Sequence, residues 1–291
     1  MRRIVIRAVA VLCVFCVLCV YVVVPASSAS QQTGASRVAL ATVIDARNRP
    51  RVDLEADDFV VHEGAAAREI LSVHVADYPI VVMIDSGSDA GPDLPMMQKA
   101  AAQFIARIGQ RPVALGTFGD PPEMLSGFDD ERPKLMERLD AMTPGVGRAS
   151  ALLEGAALAA RTLRPIGSLF SAIVMLSAGS IDASRDAESL VSSIVDAGAI
   201  LHVVANRTDR MPRGSGDEDT TLRTLIDQTH GQYTTIYSAA SYRVALDHIA
   251  ERLATEIMIV YLVPSGSKAT DVKIGVRIPG ARVRGFGVAP R

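Results

Sequence analysis

The region from residue 79 to about residue 256 alternates short apolar runs with amphipathic stretches, and this alternation most restricts how the chain can fold. The runs at 80–85, 171–179 and 199–206 are almost continuously apolar, which is typical of strands that helices cover on both faces. The stretch 93–109 carries apolar residues at helical spacing. Repeated alternation of strand and helix predicts an α/β domain, Rossmann-like, with a doubly wound and mostly parallel sheet.

The segments on either side of this α/β region have a different pattern. Residues 37–76 and 257–291 alternate apolar and polar side chains, and Gly, Pro, Asn and Ser interrupt them, which predicts short strands joined by turns. Neither segment has enough strands to bury a core alone. We therefore expect the N- and C-terminal strands to pack together as one small β module beside an α/β domain at 79–256.

The first 29 residues predict export. Three arginines precede an uninterrupted apolar run, Ala8 to Val24, and small residues follow it. This arrangement is typical of a signal peptide, and the run also reaches the lower limit of length for a membrane-spanning helix. A cleaved signal peptide and an N-terminal membrane anchor both remain open. In either case the polar linker at 30–36 and everything after it cross the cytoplasmic membrane, so we expect a periplasmic or extracellular protein, secreted or anchored.

The composition excludes several classes of function. All three cysteines lie within the N-terminal apolar run, so the remainder of the chain offers no disulfide, thiolate zinc site or cysteine nucleophile. A formal net charge of -2 and the absence of tryptophan argue against nucleic acid as a partner. The five histidines show no metal-ligand spacing, and the sequence contains no nucleophile–base motif. We expect a protein without enzymatic activity.

The strand-end edge of the predicted sheet is where a ligand would bind. In open α/β sheets the ligand surface lies beyond the carboxyl ends of the strands. The stretch "VVMIDSGSDAG" places an acid, Asp85, directly after an apolar run, and glycines and a second acid, Asp89, follow. The loops that we expect at this edge are Asp85–Gly91, Gly145–Ser150, Ala178–Asp182 and Asn206–Asp209.

Residues 79 to 256 resemble a von Willebrand factor type A (VWFA) domain, and residues 37 to 288 as a whole are similar to bacterial exported "VWFA-related" proteins. Several short motifs stand in the same order as in those proteins: Asp58-Phe59-Val60-Val61 and Glu63-Gly64 before the domain, and Tyr261, Leu262 and Pro264 after it. The resemblance implies a type A fold. It also implies a role in adhesion or interaction with another protein in the bacterial envelope.

The resemblance further implies the position of a metal-ion-dependent adhesion site. Such a site uses D-x-S-x-S after the first strand, a Thr in a second loop and an Asp after the fourth strand. Asp85 matches the first acid, whereas Gly87 and Asp89 stand at the two serine positions. Ser150 stands where Thr is usual, and Ala178 replaces the last Asp. One hydroxyl and one carboxylate of the resembled site are therefore missing.

Two hypotheses follow for this site. In the first, the site is degenerate and the protein has no cofactor: Asp85 accepts backbone N–H groups of the next loop, and Asp89 caps the following segment. In the second, a rewired site made of Asp85, Asp89 and Ser150 binds Mg²⁺ or Ca²⁺ weakly, with water replacing the lost ligands.

We expect the strand-end rim to bind a protein partner of unknown identity, and the membrane to be a partner only through an uncleaved N-terminal segment. The competing hypothesis is a structural envelope scaffold that assembles through its β module. The residues that we expect to form the ligand-binding rim are Asp85, Ser86, Gly87, Ser88, Asp89, Ser150, Ser177 and Ala178.

Overall fold

The computed structural model describes residues 34–179, 187–207, 216–268 and 271–289, and the chain from Ala35 onward forms one compact unit. The predicted export segment and residues 30–33 of the predicted linker lie outside the described residues, whereas residues 34–36 of that linker belong to the first strand. The strands are β1 (Gly34–Ile44), β2 (Pro50–Arg51), β3 (Phe59–Glu63), β4 (Ala66–Arg68), β5 (Ile70–Val75), β6 (Ile80–Ile84), β7 (Val113–Thr117), β8 (Glu123–Met124), β9 (Ser171–Ser177), β10 (Ala199–Asn206), β11 (Gln232–Ile236), β12 (Glu256–Pro264), β13 (Val272–Val276) and β14 (Arg282–Ala289).

The helices of the described ranges are α1 (Leu94–Arg107), α2 (Arg132–Asp140), α3 (Leu152–Leu163), α4 (Ala187–Asp196), α5 (Gly216–Gln228) and α6 (Tyr242–Thr255). None of them combines the length and the apolar character that crossing a membrane requires.

The central sheet has six strands in the order β11-β10-β9-β6-β7-β8. Its first five strands run parallel, and β8 is an antiparallel edge strand. Successive side chains of a strand face opposite sides, so Ile80, Val82 and Ile84 of β6 face one helix layer while Val81 and Met83 face the other. All five side chains are fully buried, which explains why this strand is continuously apolar.

Helices cover both faces of the central sheet, with α1, α2 and α6 on one side and α3, α4 and α5 on the other. The buried side chains of α1, among them Leu94, Met97 and Phe104, recur at helical spacing. On the opposite face, Gly155 lets α3 approach the sheet closely. A Cβ atom at Gly155 would lie 2.4 Å from the Cβ atom of Phe118.

The N- and C-terminal segments are joined in one β-sheet of order β14-β1-β12-β5, with β2 paired to β1. A second sheet, β13-β3-β4, packs against it. In β1, Val38 and Leu40 face the α/β core, whereas Ala39, Ala41 and Val43 face the second sheet. The larger β-sheet therefore lies between the α/β core and the smaller β-sheet, and the fold is α/β with parallel and antiparallel strands.

A buried acid, Glu256, joins the β-sheets to the α/β core at the edge where the central strands begin. The carboxylate of Glu256 accepts a hydrogen bond from the hydroxyl of Tyr78, and Arg252 Nε lies 3.2 Å from Glu256 Oε1. The guanidinium of Arg111 stacks over the Tyr78 ring, 5.0 Å from its centroid. Burial raises the pKa of Glu256, although Tyr78 and Arg252 oppose the rise.

Candidate functional site

The carboxylate of Asp85 lies at the centre of the strand-end edge. Asp85 directly follows β6 and has no exposed surface. Its Oδ1 accepts hydrogen bonds from the Ser150 hydroxyl at 2.6 Å and from the Gly87 N–H at 3.0 Å. Its Oδ2 accepts from the Ala178 N–H at 3.1 Å. The donors belong to the loops after β6, before α3 and after β9, so one carboxylate connects three loops.

The donors to Asp85 are neutral, and this determines its electrostatics. Burial raises the pKa of Asp85 above its ordinary value, while the hydrogen bonds from Ser150, Gly87 and Ala178 oppose the rise. Among the ion pairs of the described residues, none involves Asp85. The carboxylate is therefore stabilised by backbone and hydroxyl dipoles.

Gly87 is glycine because Ser150 occupies the space beside it. The φ angle of Gly87 is -61°, a value that any residue adopts. A Cβ atom at this position would lie 2.5 Å from Ser150 Oγ and 3.1 Å from Ser150 N. A side chain at position 87 is therefore incompatible with the Ser150 hydroxyl in the position from which it donates to Asp85.

Further hydrogen bonds fix the loops around Asp85. The Ser88 N–H and hydroxyl donate to the Arg148 carbonyl at 2.8 and 3.1 Å. The Gly145 N–H donates to the Ser86 carbonyl at 2.7 Å, and the Ser86 hydroxyl accepts from the Gly119 N–H at 3.1 Å. The loop after β6 and the loop before α3 therefore form one hydrogen-bonded surface.

The predicted rim residues divide into a buried set and an exposed set. Ser88 and Asp89 are exposed, and Ser150 is half-buried. Ser88 and Asp89 therefore face solvent at this edge, and the buried residues lie beneath them. Positions 180–182 and 208–209 of the predicted rim lie outside the described residues. The buried set consists of Asp85, Ser86, Gly87, Ser177 and Ala178.

Two residues that sequence analysis did not single out, Asp93 and Tyr242, belong to the same edge. The Asn206 amide donates to Asp93 at 2.6 Å, and the Tyr242 hydroxyl donates to the Ser177 carbonyl at 2.6 Å. Burial, together with the negative charges of Asp93 and Asp85, raises the pKa of Tyr242. An acid immediately before a helix was a usable signal for Asp93, whereas no local pattern connects Tyr242 with β9.

The residues at this edge fit a hard divalent cation poorly. Mg²⁺ requires about six oxygen ligands in a near-octahedral array. Protein donors already use three of the about four lone-pair sites of the Asp85 carboxylate, and Gly87 and Ala178 offer no side-chain oxygen. Asp89, which the rewired hypothesis requires, is exposed. Within the described ranges, no three His, Cys, Asp or Glu side chains are grouped as metal ligands would be.

The parallel sheet, with loops gathered beyond the carboxyl ends of its strands, places the chain in the general class of open α/β folds that bind ligands at this edge. Comparison with known proteins identifies which fold of this class the chain resembles. No protein-family model matches the sequence, and no curated protein matches it either. A solved von Willebrand factor type A structure from Catenulispora acidiphila is similar to 89% of this chain and 74% of that chain, with 12% identity and a TM-score of 0.52. The chain therefore has a von Willebrand factor type A-like fold.

Two further solved structures match with TM-scores below 0.5. An aerotolerance-related membrane protein from Bacteroides fragilis matches 60% of this chain and 99% of its own, at 16% identity and a TM-score of 0.49. The vWF domain of the type V pili tip protein Mfa5 from Porphyromonas gingivalis matches 62% of this chain and 95% of its own, at 12% identity and a TM-score of 0.47. At these scores the two matches add nothing to the assignment of the fold.

Proposed function

We propose that the chain is an exported, non-enzymatic interaction module that binds a protein partner at its strand-end rim without a metal ion. The observation that carries this proposal is the hydrogen bonding of Asp85. Its carboxylate accepts from Ser150, Gly87 and Ala178, so the acid connects three loops through protein donors and does not need a metal ion to do so. A partner therefore does not have to order these loops when it binds, and this favours affinity.

The exposed turn above Asp85 is the surface that this arrangement presents. Ser88 and Asp89 lie on a 3₁₀ turn, Ser88–Ala90, and their side chains are exposed. The hydrogen bonds of Ser88 to the Arg148 carbonyl hold the turn against the neighbouring loop. Ser88 and Asp89 offer a hydroxyl and a carboxylate, which suit recognition of polar or basic groups on a protein surface.

Two observations on the same residues support a non-enzymatic role. Ser150 donates directly to a carboxylate, Asp85, at 2.6 Å, and not to a histidine that would accept its proton during a nucleophilic attack. Asp85 is itself fully buried, so a substrate cannot reach it as the loops stand. Export is supported by the basic and apolar N-terminal segment of the sequence.

The experiment that tests the proposal is a pull-down from envelope extract, performed with and without a chelator. We expect the same partner in both samples, loss of the partner with Asp89→Arg, and its retention with Asp129→Arg, a matched charge reversal at another exposed acid. Recovery only in the absence of chelator would favour the rewired metal site. Equal recovery with Asp89→Arg would show that the rim is not the binding surface.

One observation favours the second candidate, a scaffold that assembles through its β module. β5 lies at one edge of the larger β-sheet, next to β12 alone among the described strands. Its Leu71 and Val75 are 49% and 43% exposed, and an edge strand of this kind presents unpaired N–H and C=O groups to another chain. If this candidate is correct, Leu71→Lys abolishes assembly in the envelope, whereas Asp89→Arg leaves it unchanged.

A further inference from the structure

A groove runs between α1 and the turn that precedes α6, and we call it the α1–α6 groove. Its volume is about 300 Å³. Three of the residues that line it are alanines, Ala100, Ala239 and Ala240, so the groove exists because these side chains are small. At one end, Arg107 of α1 forms an ion pair with Asp247 of α6 at 2.8 Å. The lining residues are Met96, Lys99, Ala100, Gln103, Ala239, Ala240 and Arg243.

One large apolar side chain in the lining of the groove and two that lie close to lining residues in the sequence are exposed. Met96, which lines it, is 47% exposed, and Val244, next to Arg243, is 48% exposed. Tyr237, two residues before Ala239, is 76% exposed. Of these three, Met96 is the side chain that lines the groove and offers an apolar contact within it.

The charges around the groove are mostly positive and incompletely neutralised. Within the described ranges, no ion pair neutralises Lys99. Arg243 contacts Asp247 only at 3.7 Å, and Asp247 is already paired with Arg107 at 2.8 Å. Arg107 and Arg243 thus share one acid, Asp247, and Lys99 has no acid paired with it among the described ion pairs. Such a surface attracts negative groups and disfavours positive ones.

We propose that the α1–α6 groove is a second docking surface, which binds an acidic segment of a protein partner. An apolar side chain of that segment enters the groove, and its carboxylates contact Lys99 and Arg243. A volume of about 300 Å³ is at the lower limit of small-molecule pockets, so the groove suits one or two side chains better than a complete cofactor. The groove shares no residue with the rim at Asp89, and the inference therefore does not depend on the proposed function.

A displayed library of random twelve-residue peptides, selected on the immobilised protein, tests this proposal. We expect the selected peptides to combine Asp or Glu with apolar residues. Binding to these peptides should be about tenfold weaker for Lys99→Glu/Arg243→Gln, the loss expected when two exposed charge contacts are removed. Ala240→Phe, which fills the groove from an exposed position, should weaken binding without changing any charge.

Two control variants separate the possible outcomes. Arg161→Glu/Arg164→Gln makes the same change in net charge at exposed positions in and after α3, on the opposite face of the central sheet, and should bind the peptides normally. Selected peptides that are not acidic, or that bind Ala240→Phe normally, would overturn the proposal. Loss of binding with Asp89→Arg alone would assign the peptides to the rim. Dimerisation of the protein that Ala240→Phe abolishes would mean that a second copy covers the groove, and this too would overturn the proposal.

Discussion

Two buried carboxylates, Asp85 and Glu256, lie at opposite ends of the parallel strands of the central sheet, and they interact with different kinds of donor. Both are fully buried, and burial raises the pKa of both. Glu256 interacts with the guanidinium of Arg252 and the hydroxyl of Tyr78. Asp85 accepts hydrogen bonds from one hydroxyl and two backbone N–H groups. Glu256 is therefore part of a charged joint between two layers, whereas Asp85 forms a joint among three loops whose donors are all neutral.

The difference between these joints indicates which edge is available for binding. The side chains that contact Glu256, Tyr78 and Arg252, lie between the α/β core and the β-sheets, so this joint is internal. At Asp85, the donors belong to loops whose outer residues, Ser88 and Asp89, are exposed. The strand-end edge therefore combines a hydrogen-bonded interior with an exposed surface, and this is the arrangement on which the proposed binding function rests.

The largest change in the free energy of unfolding is expected at the charged joint around Glu256. Arg252→Met leaves the Glu256 carboxylate buried without its cation, and we expect this to reduce the free energy of unfolding by about 3–5 kcal/mol, measured by urea denaturation. Arg252→Met/Glu256→Gln removes both charges and should be clearly more stable than the single variant. A single variant within about 1 kcal/mol of the wild type would show that Glu256 does not depend on Arg252.

The next effect is expected at Asp85. In Asp85→Asn the amide offers one oxygen to three donors, so at least one buried donor loses its acceptor. We expect the free energy of unfolding to fall by about 2 kcal/mol, within the range for an unsatisfied buried donor. Asp89→Asn, at an exposed position, is the control and should change stability by less than about 0.5 kcal/mol. Equal stability of the two variants would contradict the account of the Asp85 hydrogen bonds.

A smaller effect tests the packing of Gly87 against Ser150. Gly87→Ala places a Cβ atom against the Ser150 hydroxyl, and we expect a loss of about 1–2 kcal/mol from this overpacking. Ser150→Ala removes that hydroxyl, so the double variant should be more stable than the sum of the single effects predicts. A double-mutant cycle should give a coupling of at least about 0.5 kcal/mol. A coupling near zero would show that the two residues are independent.

The pH dependence of stability is the smallest expected effect, and its sign is the test. When folding raises the pKa of a carboxyl group, protonation of that group stabilises the folded state. The stabilisation is complete below the pKa of the unfolded state and is lost as the pH rises through the pKa of the folded state. The wild type should therefore gain stability relative to Asp85→Asn as the pH falls from 7 towards 4. Urea denaturation at several pH values measures this gap. A gap that narrows at low pH would mean that the pKa of Asp85 is lowered on folding.

The order of strands and helices was predictable because burial determines composition. β6, β9 and β10 are covered on both faces, so their sequences are continuously apolar and stand out. β2 and β4 were not predicted, because strands of two and three residues are too short to show any periodicity.

The site was predictable only in part. The resemblance to a metal-ion-dependent adhesion site pointed to Asp85 through its D-x-S-x-S motif and to Ser150 through the Thr of its second loop, and the structure places these two residues in contact. The contacts of Asp93 with Asn206 and of Tyr242 with Ser177 join residues 113 and 65 positions apart. Local sequence patterns carry no information about such distant pairs. For the same reason, the sequence showed that Gly87 lacks a hydroxyl but not that Ser150 fills the space beside it.

The central proposal, that protein donors take the place of a metal ion at Asp85, is tested most directly by thermal unfolding of chelator-treated protein with and without 1 mM-scale Mg²⁺ or Ca²⁺. We expect almost no change in melting temperature, because a dissociation constant on the order of millimolar adds only about 0.4 kcal/mol at that concentration. A stabilisation that saturates at micromolar metal and disappears in Asp85→Asn would contradict the proposal.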